Sequence, residues 1–201
     1  MVRSLLILII SFNVFSKENL NEEVFKQLVE LIESDSATQS FIISNDNQVV
    51  HEYYGDGYTK NDLATSWSIS KTFYAALFGV AIEKGLISYS DLQKPISFFI
   101  PELIEDSKSQ LTLYNLLAMR SGLEITEYLN EEMFFSIDNL DFAMNAQPAM
   151  PQGEIYEYNN VNTMLLNPII KNIFKEEPHN VLIKEIFDPL DIDRYGLWSD
   201  S

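Results

Sequence analysis

Between Glu18 and Ser34 the apolar residues Leu20, Val24, Leu28, Leu31 and Ile32 recur at helical intervals, one stripe that predicts an amphipathic helix. The pattern then changes. Ser40–Ser44 and Gln48–Tyr54 are strand-like runs separated by Asn45-Asp46-Asn47, which predicts a β-hairpin, and Gly55-Asp56-Gly57 ends its second strand. Beyond the hairpin almost only helical patterns follow. Ser68 to Lys84 predicts a helix closed by Gly85, and Pro95 and Pro101 break Asp91–Leu103 into turns and short helices. Thr112 is a good cap for a helix over Leu113–Arg120. Further helices are expected over Asp138–Asn145, Val161–Phe174 and His179–Phe187, with Pro168 expected to kink or split the second of these.

The first sixteen residues differ from the rest. Arg3 precedes an apolar run, Leu5 to Ile10, that weakens toward Ser16, a small residue before Lys17. This reads as a secretory signal cut near Ser16, too short for a membrane span; the alternative is a first helix buried in the core. On the first reading the mature domain is 17–201 and is periplasmic or secreted.

Composition narrows the classes. Apolar residues at 46% and charged residues at 21% belong to a globular chain. The net charge of −17 becomes −18 if residues 1–16 and their one base are removed. Such a surface repels phosphate backbones and argues against nucleic acid. With no cysteine there is no disulfide framework and no lipid-bearing Cys, and two scattered histidines, His51 and His179, give no zinc site. Both histidines read as packing or surface residues. No G-x-S-x-G elbow is present, and Gly55-Asp56-Gly57 is a turn, not a phosphate cradle. Neither a metal nor a cofactor is expected.

The chemistry-bearing stretch is Thr65 to Phe73, which holds the chain's single S-x-x-K spacing, Ser68-Ile69-Ser70-Lys71. On a helix, positions three apart share a face, so the Ser68 hydroxyl and the Lys71 amine lie close enough to exchange a proton. The amide end of the helix favours an oxyanion, and burial beside Trp67 is one way to hold Lys71 neutral as a base. The bland alternative is a capping serine with a solvated lysine one turn later.

The surroundings resemble a known family. Ser68–Phe73 with Ala76–Ile87 is similar to the nucleophile helix of serine β-lactamases, penicillin-binding proteins and their esterase and 6-aminohexanoate-dimer hydrolase relatives. Asp91–Pro95, Phe99–Leu103, Leu111–Leu123 and Asp188–Ile192 resemble that family's later blocks, in order, with Asp191 where glycine is usual. Pro151 to Asn162 resembles its "PG…F.YSN.N" block. The resemblance implies that Tyr158 relays a proton and that Asn160 holds the lysine and the substrate amide. Tyr128-Leu129-Asn130 is the other Tyr-x-Asn candidate; it lies among acids in what reads as a surface loop. Tyr158 as a packed aromatic is the alternative to its catalytic reading.

The resemblance therefore implies a truncated α+β fold of β-lactamase/transpeptidase type: an N-terminal helix and hairpin, then a mainly helical subdomain. It implies a serine hydrolase acting through an acyl-enzyme on an amide, ester or β-lactam bond, with a small-molecule or peptide substrate. The family's third motif, Lys-Thr-Gly or His-x-Gly on a strand that supplies half of the oxyanion hole, has no match; Arg194-Tyr195-Gly196 has a similar shape but comes too early. Impaired activity, a partner chain that completes the sheet, and a non-catalytic exported binding protein all remain open.

Overall fold

The computed structural model describes residues 22–124, 132–133 and 135–196. The expected signal segment 1–16 and Tyr128 lie outside the described residues. The chain forms two compact units, one ending at Trp67 and one beginning at Ser68.

In the first unit, helix α1 (Glu22–Ser34) opens with Glu22 and Glu23, whose charges suit the amide end of a helix. Strands β1 (Ser40–Asn45) and β2 (Gln48–Tyr54) pair antiparallel, with Phe41 opposite Tyr53 and Ile43 opposite His51. Asp46 and Asn47 both take positive φ, 48° and 62°, so the hairpin turns through the two-residue primed geometry that matches strand twist. A bulge between Ile43 and Ser44 shifts the register and sets Ser44 opposite Val49. His51 meets the edge of Phe25 at 6.2 Å and approaches Glu33 at 3.7 Å, so it packs the hairpin against α1. Among the described residues the sheet has two strands, and Ile42, Val49 and Val50 are exposed on it.

The second unit is helical. Its helices are α2 (Ser70–Glu83), α3 (Ile96–Phe99), α4 (Leu113–Leu117), α5 (Asn139–Asn145), α6 (Asn160–Phe174) and α7 (Pro178–Leu182). Helix α6 is the hub and packs on α2, α3, α4, α5 and α7. Its Leu165, Ile169 and Ile170 are fully covered, as are Leu77 and Ala81 of α2, Ile96 of α3, and Leu113 and Leu116 of α4. Burial of this kind stabilises by roughly 1.5–3 kcal/mol per large apolar side chain.

Local chemistry explains most boundaries. Gly85 (φ 68°) closes α2 as expected, with Leu86 N–H bonded to Ala81 O and Gly85 N–H to Ile82 O. Thr112 and Asp138 cap α4 and α5 through their side chains. Three expectations need correction. Ser68 lies in a 3-10 turn, Trp67–Ile69, and the α-helix proper starts at Ser70. Helix α4 stops at Leu117 instead of Arg120, because Met119 turns left-handed (φ 54°) and Arg120 N–H returns to Asn115 O at 2.8 Å. Pro168 does not split α6, which runs unbroken through it. The ring removes one backbone bond, but Leu165, Leu166, Ile169 and Ile170 on either side are all buried, and their packing outweighs that loss.

Candidate active site

Ser68 is exposed in the 3-10 turn that leads into α2, and Lys71, half-buried, stands in the first turn of that helix. The three-residue spacing does what it predicts. Lys71 Nζ donates to Ser68 Oγ at 3.0 Å. Trp67, the residue before the serine, has φ 45°, a left-handed conformation that strains any residue with a β-carbon. The residue is 48% exposed, and Lys71 is half-buried. The aromatic face next to the ammonium is that of Tyr158, with the ring centroid 5.0 Å from Nζ.

Sequence reasoning singled out Ser68, Lys71 and Tyr158, and the structure brings the three side chains together. One detail departs from expectation: among the described residues no hydrogen bond joins the Tyr158 hydroxyl to Ser68 or Lys71, and the phenol meets the lysine through its ring. Asn160 is the first residue of α6, two positions after Tyr158, and is half-buried. The capping is done by its neighbour Asn159, whose buried side chain accepts from Val161 N–H at 2.8 Å.

The segment that carries Tyr158 is pinned at several points. Gln152 Oε1 accepts from Thr112 N–H and from Asn115 Nδ2, each at 2.9 Å, and its Nε2 donates to Gln110 O. Gly153 N–H donates to Arg120 O at 2.8 Å, and Glu157 N–H donates to Met119 O at 2.9 Å. Arg120 Nη2 donates to Glu154 O at 3.2 Å. Gly122 (φ 71°) accepts Ala149 and Met150 N–H on its carbonyl, and a β-carbon there would lie 2.3 Å from Met150 O. None of these supports was singled out from sequence. The left-handed Met119 carries no sequence signal, since glycine or asparagine is the usual residue there.

At the far end, Asp191 takes φ 54°, which accounts for glycine being usual at this point in the resembling block. Arg194–Gly196 forms no strand; the Tyr195 ring meets Phe187 at a tilt, centroids 4.9 Å apart, and Phe187 meets Phe73 of α2 edge-on at 5.7 Å. This stretch therefore packs against α2.

The β-lactamase family model matches residues 22–201. The chain belongs to the β-lactamase family. Members of this family are serine hydrolases. Over 93 residues, 46% of this chain and 23% of the relative, the protein is 25% identical to the 6-aminohexanoate-dimer hydrolase of Paenarthrobacter ureafaciens. Its fold is similar to that of the octameric penicillin-binding protein homologue from Pyrococcus abyssi (TM-score 0.65, 20% identity, covering 90% of this chain and 45% of that one). It is also similar to that of D-alanine carboxypeptidase AmpC from Burkholderia cenocepacia (TM-score 0.63, 20% identity, covering 89% of this chain and 50% of that one). The architecture is thus the β-lactamase/transpeptidase-like α+β fold, and this family member spans half or less of the length of each of these relatives.

Proposed function

We propose that the protein is a serine acyl hydrolase that cleaves an amide, ester or β-lactam bond. The 3.0 Å contact between Lys71 Nζ and Ser68 Oγ carries the reading. With the amine neutral the contact reverses, the Ser68 hydroxyl donates to Nζ, and the oxygen attacks the substrate carbonyl carbon. Lys71 takes up the hydroxyl proton and is neutral again once it hands that proton on. As the tetrahedral adduct collapses, a proton passes by way of the Tyr158 phenol to the leaving nitrogen or oxygen, and the acyl group stays on Ser68 as an ester. Water then hydrolyses that ester, its proton returning along the same route. Asn160 orients the substrate amide. The substrate is a small molecule or peptide, and export through residues 1–16 places the reaction in the periplasm or outside the cell. A partner chain is proposed to add strands to the hairpin and supply a second oxyanion donor.

A second reading, an exported binding protein without turnover, is favoured by the ring-first approach of Tyr158 to Lys71. A fluorophosphonate probe separates the two. Covalent labelling of the folded protein that vanishes in Ser68→Ala is expected. Folded protein that takes no label would leave only the binding reading.

A further inference from the structure

Asn162 is completely buried on α6, one turn beyond Tyr158. Its Nδ2 donates to the Met119 sulfur at 3.3 Å, and its Oδ1 meets no donor among the described residues. A thioether is a weak acceptor, and a buried amide oxygen without a partner carries an uncompensated desolvation cost. Leucine has the same branched outline, with a larger volume, and would bring no polar atom into the apolar core. The asparagine is therefore a poor choice for stability, and the residue it grips explains its presence.

Met119 holds a left-handed backbone that strains a residue with a β-carbon, and in that conformation its carbonyl accepts the N–H of Glu157 at 2.9 Å. On the other side of Tyr158, Asn159 caps α6. The contacts close a ring, from Tyr158 through the cap to Asn162, across to Met119, and back by way of Glu157. The geometry points to Asn162 as a positioning residue that fixes the Tyr158 ring over Lys71 by holding Met119. This rests on the reading of Ser68 as nucleophile and Tyr158 as its proton relay.

Asn162→Leu is the test, with Met119→Leu as a second variant that removes the sulfur and keeps the bulk. The rate of Ser68-dependent fluorophosphonate labelling is expected to fall about tenfold in each, since small misplacements of a reacting group are costly. The melting temperature is expected to hold or rise. In a Tyr158→Phe background the same substitutions should change the rate less than twofold. An unchanged rate, a rate loss that tracks a lower melting temperature, or full additivity with Tyr158→Phe overturns the assignment. Amide hydrogen exchange at Glu157 is read in parallel: faster exchange in the variants supports the ring of contacts, and unchanged exchange refutes it. If the wild type takes no label, the hydrolase reading fails, and the exchange result still decides whether Asn162 holds the Tyr158 segment.

Discussion

The Lys108 side chain is wholly buried, and its ammonium is bound at 2.8 Å by Asp106, a carboxylate two residues earlier that keeps 28% of its own exposure. Asp106 also accepts the Lys108 backbone N–H at 2.9 Å. Partial burial pushes the Asp106 carboxyl up, but the hydrogen bonds from Lys108 outweigh it, and the group is held below its ordinary range. Cutting one side of such a pair is worse than removing the charge that must be buried. Asp106→Ala is expected to cost about 3 kcal/mol and Lys108→Met no more than about 1 kcal/mol, measured by urea unfolding. Equal losses would show that the ion pair does not control this loop.

Asp91 gives a pH signature. Its carboxylate accepts from Lys94 at 2.7 Å, from the Ser88 hydroxyl, and from the Ser88 backbone N–H, the last bond being half of a capping box in which the Ser88 side chain accepts the Asp91 N–H. The Lys94 bond first, then those from Ser88, hold it at about 2 against an ordinary 3.8. A depressed acid contributes stability above its unfolded value and loses it as pH falls through the folded one. The melting-temperature gap between wild type and Asp91→Asn should stay constant from pH 7 to about pH 4 and close between about pH 4 and pH 2. A gap that persists unchanged at pH 2 contradicts this.

Gly122 is the least replaceable glycine of the Tyr158 scaffold. Alanine there would have to hold φ 71° while its methyl lay 2.3 Å from Met150 O. The chain must shift, and the Ala149 and Met150 hydrogen bonds shift with it. A loss on the order of 3 kcal/mol is expected, with weaker labelling of Ser68, both read on one preparation by thermal unfolding and probe uptake.

Tyr158→Phe separates the ring from the hydroxyl. The ring still covers Lys71, so the melting temperature should not move. On the proposed mechanism, loss of the hydroxyl should lower the acylation rate by roughly 10²–10⁴. A phenylalanine variant as fast as wild type would mean that Tyr158 serves as a lid over the lysine and takes no part in proton transfer.

Much of the architecture was legible in the chain itself. The switch from helical to alternating spacing located α1 and the hairpin, and Gly85, Thr112 and Asp138 each act at the helix end their chemistry suits. The Ser68–Lys71 contact followed from a three-residue spacing alone. What could not be read depends on contacts far apart in sequence. Met119 adopts a glycine-like conformation because distant partners, Glu157 and Asn162, reward it. Pro168 stays inside α6 because four buried neighbours hold the helix, and no local rule reports on them. Lys108 looks like a surface residue in the sequence, and only the folding back of its loop hides it.

The left-handed, half-exposed Trp67 has a practical consequence. The chain has two tryptophans, and Trp198→Phe would leave one indole, a single peptide bond from the proposed nucleophile Ser68 and partly in solvent. Its emission would respond to whatever becomes attached to Ser68, giving the protein an intrinsic optical reporter. Covalent capture and release could then be followed in real time by stopped-flow fluorescence, with no dye on the substrate.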